Sequence, residues 1–268
     1  MRAIAVLLLS LLLPAAAQAQ RGVDPELSID VTGHIEIGPD GGLHAFELDK
    51  GLSPPIERLV EQSLRRWQFE PVAVDGRPVI ARTRLRLTLS AEKVAEGYQL
   101  KVEKAWFGEP TRTSKLAAPR YPVEAARANL GAKVILVLRL DADGNVVDAH
   151  PEQTSLSAVA KNERSAEQWR ALFEKASLAA ARSWKYGITE AVDGAPVATS
   201  SVRVPVTFTI GSSPENRWHG FIPGPRKPAP WAMEELAANP VSEDLRDGDA
   251  QPLDSRFRLK TPIVGTLL

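Results

Sequence analysis

Arg82, Arg84 and Arg86 recur at every second position, which on a strand turns three guanidinium groups to one face while Leu85, Leu87 and Leu89 turn to the other. Such a row can grip carboxylates or phosphates in bidentate fashion, so these three are candidate contacts for an anionic group. A solvated sheet face with local ion pairs is the competing and simpler account. The four histidines, His34, His44, His150 and His219, have no partner at ligand spacing, and the chain has no cysteine; no dedicated zinc site is expected. Asp141-Ala142-Asp143-Gly144-Asn145 resembles the start of a calcium loop. It lacks the third ligand before the glycine and the closing glutamate, and it reads better as a hairpin turn. No nucleophile elbow, phosphate-binding glycine loop or paired His-Glu motif occurs. The chemistry on offer is that of binding; no catalytic residue, metal or cofactor is expected.

Composition narrows the class. Acidic and basic residues balance at 33 each, whereas a general nucleic-acid binder needs a basic excess. Residues 1–19 have the layout of an export signal: Arg2, an apolar run from Ala3 to Leu13, Pro14, and the small-x-small site Ala17-Gln18-Ala19. The run is 11 residues, and a spanning helix needs about 20. Cleavage after Ala19 and a periplasmic location are expected, with an uncleaved inner-membrane anchor as the alternative.

The elements that would position these residues recur. Trp67-Gln68-Phe69 leads to Asp75-Gly76-Arg77-Pro78-Val79, and Trp184-Lys185-Tyr186 leads to Asp193-Gly194-Ala195-Pro196-Val197. Upstream, Ile35 to Leu43, with Asp40-Gly41, parallels Leu138 to Val146, with Asp143-Gly144. Three landmarks in the same order indicate an internal repeat. In the second copy, Val134, Leu136, Leu138 and Leu140 alternate along one strand, and Val202, Val204, Val206 and Phe208 along another. Between them Ser165-Ala166-Glu167-Gln168 reads as a capping box. Trp169, Leu172, Phe173, Ala176, Ala180 and Trp184 then form the buried stripe of a helix. In the first copy Ser53-Pro54 opens the helix, and Ile56, Leu59, Val60, Leu64 and Trp67 line its inner face. The expected fold is α+β: two small β-β-α-β modules, each a helix on a short antiparallel sheet.

Pro119-Arg120-Tyr121-Pro122, the hairpin at Asp143-Gly144, Trp184-Lys185-Tyr186, Asp193 to Val197 and the strand Val202 to Phe208 together resemble the C-terminal domain of TonB, the energy transducer of bacterial outer-membrane transport. The resemblance covers 119–210, and 31–90 more weakly. It implies an envelope partner, such as a TonB-dependent outer-membrane transporter, whose extended segment adds a strand to the sheet. Tyr121, Pro122, Arg203, Pro205 and Thr207 are then the candidate partner contacts. Pro205 has no N–H for a ladder, which suggests an edge strand or a bulge. The long Pro-rich linker of a complete transducer is absent: 17 residues separate Leu13 from Val31, roughly 60 Å when extended. A glycan-binding or enzymatic envelope protein using the arginine row is the reading from another class. The expected organisation is signal 1–19, linker 20–30, first module 31–107, linker 108–118, second module 119–210 and tail 211–268. The tail carries Trp218, Phe221, Trp231 and Met233 among its prolines. Residues 218–233 should lie against a domain or a partner, and 234–268 should be loose apart from a short helix near 234–238.

Overall fold

The computed structural model describes residues 27–94, 97–113, 117–197, 201–210, 220–238, 247 and 249–268. The signal at 1–19, most of the linker at 20–30, Trp218 and His219 lie outside the described residues. Among the described residues no helix is long and apolar enough to cross a membrane. In chain order, β1 (Leu27–Ile37), β2 (Leu43–Leu48) and α1 (Pro54–Leu64) come first. They precede β3 (Ala73–Val74), β4 (Arg77–Pro78), β5 (Ala81–Val94), β6 (Gly97–Phe107) and β7 (Thr111–Arg112). Then follow α2 (Val123–Arg127), β8 (Ala132–Leu140), β9 (Val146–Leu156) and α3 (Glu163–Ala181). The chain continues with β10 (Tyr186–Gly187), β11 (Glu190–Val192), β12 (Ala195–Val197), β13 (Ser201–Phe208), α4 (Met233–Ala238) and β14 (Gln251–Pro252). The fold is α+β with antiparallel sheets.

Two sheets carry the cores. In the first, β1 lies between β2 and β5, and β5 also pairs with β6 and β11. Alternation turns Val31, Ile35, Leu85, Leu87 and Leu89 inward, where they share a buried cluster with Val60 and Leu64 of α1 and with Trp67. In the second sheet β8 lies between β9 and β13, and β14 adds to the far side of β13. Val134, Leu136 and Leu138 meet Val202, Val204 and Phe208 under Phe173 and Ala181 of α3.

One backbone contact explains the spacing of the sequence landmarks. The N–H of Phe69 donates to the carbonyl of Gly41 at 2.8 Å, and the N–H of Tyr186 donates to the carbonyl of Gly144 at 2.9 Å. In each case the aromatic residue two beyond a buried tryptophan is stitched to the turn between the first two strands of its sheet. Gly41 and Gly144 have φ of 80° and 79°. A Cβ at either would collide with the carbonyl oxygen of Phe69 or Tyr186, so only glycine allows the approach. Asp75-Gly76 and Asp193-Gly194 all have positive φ, and they close the two-residue hairpins β3–β4 and β11–β12.

The structure departs from the sequence expectations in four places. The cap of α3 is Asn162, whose side chain accepts from the N–H of Ser165 at 2.8 Å; Ser165 is inside the helix. The fully buried line of α3 is Ala166, Phe173, Ser177 and Ala181, with Trp169, Ala176 and Ala180 only partly covered. The hairpin β11–β12 leaves its own sheet and joins β5, pairing Ala191 with Arg82 and Val192 with Ala81, so contacts cross the boundaries expected near 108–118. Finally, the chain beyond 249 is built into both cores. Ala250 is buried with the second, and Phe257 and Ile263 with the first.

The outcome at that end is measurable. Phe257 is 4 % exposed, and Phe257→Ala should lower stability by about 3–5 kcal/mol, the usual effect of deleting a buried aromatic ring. Urea unfolding of the full chain measures it; a change near zero would mean that the end of the chain does not belong to the core.

Candidate functional site

An antiparallel strand alternates its backbone groups between its two neighbours. β13 pairs in unbroken register with β8, from Ser201 opposite Arg139 to Phe208 opposite Ala132. The carbonyl of Ser201 accepts from the N–H of Leu253 at 3.0 Å, on the side away from β8. Alternation then puts the backbone groups of Ser201, Arg203, Pro205 and Thr207 on that outer edge. The missing N–H of Pro205 therefore falls on the edge, and the β8–β13 ladder stays complete. β14 covers only the first part, pairing Arg203 with Gln251 and Val202 with Pro252. Among the described residues no strand pairs with the outer edge of β13 beyond Arg203.

The Arg203 side chain is fully buried, on the sheet face opposite α3. Its Nε donates to Glu152 Oε2 at 2.6 Å and its Nη2 to Glu152 Oε1 at 3.0 Å. Its Nη1 donates to Gln251 Oε1 at 3.1 Å. A two-pronged pair of this kind is charge-assisted and fixed in direction. Around it, Val137 is buried with Ala229, Ala232, Leu236 and Leu253, so the tail roofs a sheet face that would otherwise meet water.

The opposite edge of the sheet is also covered. Ile222 exchanges both backbone hydrogen bonds with Leu156 of β9, at 3.1 and 2.8 Å. Further along, Lys227 N–H donates to the carbonyl of Glu152 at 2.7 Å, and the Gln153 side chain donates to the carbonyl of Gly224 at 2.8 Å. This strap is rich in proline and so has few N–H groups to offer, and those of Ile222 and Lys227 are both spent on carbonyls of β9.

The remaining candidates lie elsewhere. Tyr121 sits edge-on to Phe173 and Phe208, with ring centroids 6.0 and 5.6 Å apart. Its hydroxyl donates to the carbonyl of Leu130 at 2.8 Å, and burial raises its pKa. Pro122 caps α2. Tyr121 thus anchors the lead-in onto α3 and β13, one of the two roles open from sequence. The arginine row stays on one strand, and each member meets acids of this chain. Arg82 lies 3.6 Å from Glu36 and 3.7 Å from Glu47, and Arg84 lies 3.1 Å from Asp49. Arg86 bridges Glu109 at 2.9 Å and Asp249 at 3.1 Å, over the ring of Trp106. Asp141 uses its carboxylate on the turn, accepting from the N–H groups of Asp143 and Asn145 and from the Asn145 side chain. Those bonds, the Asn145 side chain foremost, hold its pKa down. Sequence reasoning missed Glu152 and Gln251; a lone glutamate on a strand and a glutamine in a proline-rich tail carry no signal that they converge on one arginine.

Residues 117–210 match the family model described as the Gram-negative bacterial TonB protein C-terminal. Two curated relatives are Protein TonB of Xanthomonas campestris pv. campestris strain B100 and of strain ATCC 33913. Each is 35 % identical over 92 residues, which is 34 % of this chain and 34 % of the relative. The chain thus spans about a third of the length of the curated relatives it matches. No solved structure matches.

Within the matched stretch, Glu190 of β11 is buried where the hairpin meets the tail, accepting from the Ser255 hydroxyl at 2.8 Å. Burial pushes its carboxyl up to about 7 from an ordinary 4.5, with the Ser255 bond opposing. The folded protein therefore holds this proton more tightly than the unfolded chain does. The stability linked to Glu190 is fully present below pH ~4.5, falls as pH rises to ~7, and is level beyond, a loss of at most about 3 kcal/mol. Glu190→Gln should consequently gain stability relative to the parent between pH 5 and pH 8. Urea unfolding at the two values checks it, and an unchanged difference would mean that the group ionises freely.

Proposed function

From the match of residues 117–210 to the family model described as the Gram-negative bacterial TonB protein C-terminal, we propose that the protein is a non-enzymatic, exported binding protein of the cell envelope. It takes an extended segment of an outer-membrane transport protein by strand addition along the outer edge of β13. The observation that carries this is the position of that edge: it belongs to the stretch matched by the family model, and its backbone groups beyond Arg203 have no strand partner among the described residues. The binding positions are the backbones of Pro205 and Thr207, with the backbone of Arg203 at the covered end. The Arg203 side chain acts inside the sheet, and Tyr121-Pro122 holds the domain together beneath the edge. Periplasmic location follows from the export signal read in residues 1–19.

The organisation we propose is a duplication. Its support is the recurrence of one arrangement: a central strand flanked by its hairpin partner and by the strand after the helix, with a glycine turn stitched to the residue two beyond a tryptophan. The first unit has acquired β6 and the hairpin β11–β12 along β5, so it serves the second as a support. A fragment limited to 119–210 would lose the partner strand of that hairpin, and tests require the whole exported chain.

Titration calorimetry with synthetic peptides from the periplasm-facing N-terminal segments of TonB-dependent transporters of the same bacterium tests the reading. Binding in the range of about 10 µM to 1 mM is expected, because a handful of backbone bonds at about 1 kcal/mol each only narrowly exceeds the entropy lost on association. Thr207→Pro, which deletes an outward N–H and spares the β8 ladder, should weaken it severalfold. Failure of every such peptide to bind a natively folded chain would contradict the proposal.

A further inference from the structure

We propose that the outer edge of β13 is one docking edge from Ser201 to Phe208, and that Gln251 to Leu253 is the chain's own occupant of its first half. That segment stands in for a partner segment with a hydrogen-bond acceptor opposite Arg203 and an apolar residue two positions further on. The identification of the partner as a transporter rests on the function proposed above; the existence of the occupied edge does not.

The number of backbone groups motivates the first part. Beyond Arg203 the edge offers only the carbonyl of Pro205 and the N–H and carbonyl of Thr207. Three groups are few to set against the freedom lost by an incoming peptide. The carbonyl of Ser201 and the two groups of Arg203 double the set, and these are the ones that β14 and Leu253 engage. A partner that uses the whole edge must therefore displace Gln251 to Leu253.

The side chains define what fits. Glu152 holds Arg203 from within the sheet by two bonds, which aims Nη1 at the residue paired opposite, where Gln251 supplies its oxygen. A glutamine, asparagine or carboxylate in that register would satisfy the same donor, and an aliphatic residue there would remove this bond. Two residues on, Leu253 fills the apolar socket made by Val137, Ala229, Ala232 and Leu236.

The occupant is built to be exchangeable. It pairs over two residues, and Pro252 brings no N–H. It is tethered on both sides, by Asp249 to Arg86 at 3.1 Å and by Ser255 to Glu190 at 2.8 Å. A displaced segment would stay close to its edge and compete at high effective concentration.

The test uses the full exported chain and a fluorescein-labelled synthetic copy of residues 249–255 as probe, followed by anisotropy. Gln251→Ala combined with Leu253→Ser should bind the probe at least about tenfold more tightly than the parent, whose edge is occupied. A probe with alanine in place of its glutamine should lose most of that gain. Gln251→Ala alone keeps the apolar anchor and should give a smaller gain in the same direction, and Gln251→Glu should bind as the parent does, so the proposal stays testable if the double variant unfolds. Equal probe affinity for the parent and both alanine-bearing chains would overturn it. Transporter peptides run in parallel separate the two claims: tight probe binding with no transporter peptide bound rejects the transport reading and keeps the edge. Equal binding of a transporter peptide to the parent and the opened chain rejects displacement.

Discussion

A sheet of three or four strands ends in rows of backbone N–H and C=O groups, and each such group buried without a partner costs about 1–3 kcal/mol. The architecture of this protein follows from how those edges are closed. β9 is closed by the proline-rich strap at Ile222 to Lys227, and β13 in part by Gln251 and Pro252. β6 is closed by the end of the chain, where Val102 exchanges bonds with Thr266 and Gly265, and Leu268 donates to Leu100. The described parts of the tail therefore serve as edge pieces. Their apolar residues enter the cores because the edges bring them there.

The same constraint ties the two halves together. β5 would present a long outer edge, and it is closed by β6 over most of its length and by the hairpin β11–β12 at its start. That hairpin belongs to the second half in sequence and to the first sheet in space. Glu190 sits at the junction, buried between the hairpin and Ser255, with its proton affinity raised as a consequence. A carboxyl in that position makes the union of hairpin, first sheet and tail sensitive to pH near neutrality.

The sequence made the sheets legible where periodicity is local. Val134 to Leu140, Val202 to Phe208 and Leu85 to Leu89 alternate as buried strands should, and all of these core positions are buried. The paired Asp-Gly turns and the Trp-x-aromatic spacing were legible because glycine at positive φ leaves a compositional trace. What was not legible depends on distance along the chain. Arg203 and Glu152 are separated by 51 positions, and Gln251 by 48 from Arg203, with no pattern to link them. β6 follows β5 after a short turn, yet Lys101, Glu103 and Lys104 interrupt its apolar rhythm because it is an outer strand. The tail reads as loose chain because it binds through its own carbonyls and amides, which are the same in every sequence. For the candidate site, the positions 203, 205 and 207 are those whose backbones face the edge, while the role of the Arg203 side chain inside the sheet could not be read.

The edges are closed unequally, and the exchange proposed for β13 requires its closure to open more easily than those of β9 and β6. Native-state amide hydrogen exchange on the full chain, read residue by residue by NMR, measures this directly. The N–H groups of Leu156 and Val102, which donate to Ile222 and Thr266, should exchange only with global unfolding. The N–H of Leu253, which donates to Ser201, should exchange through a local opening of distinctly lower free energy. Protection of Leu253 equal to that of Leu156 and Val102, or rapid exchange at all three, would contradict it.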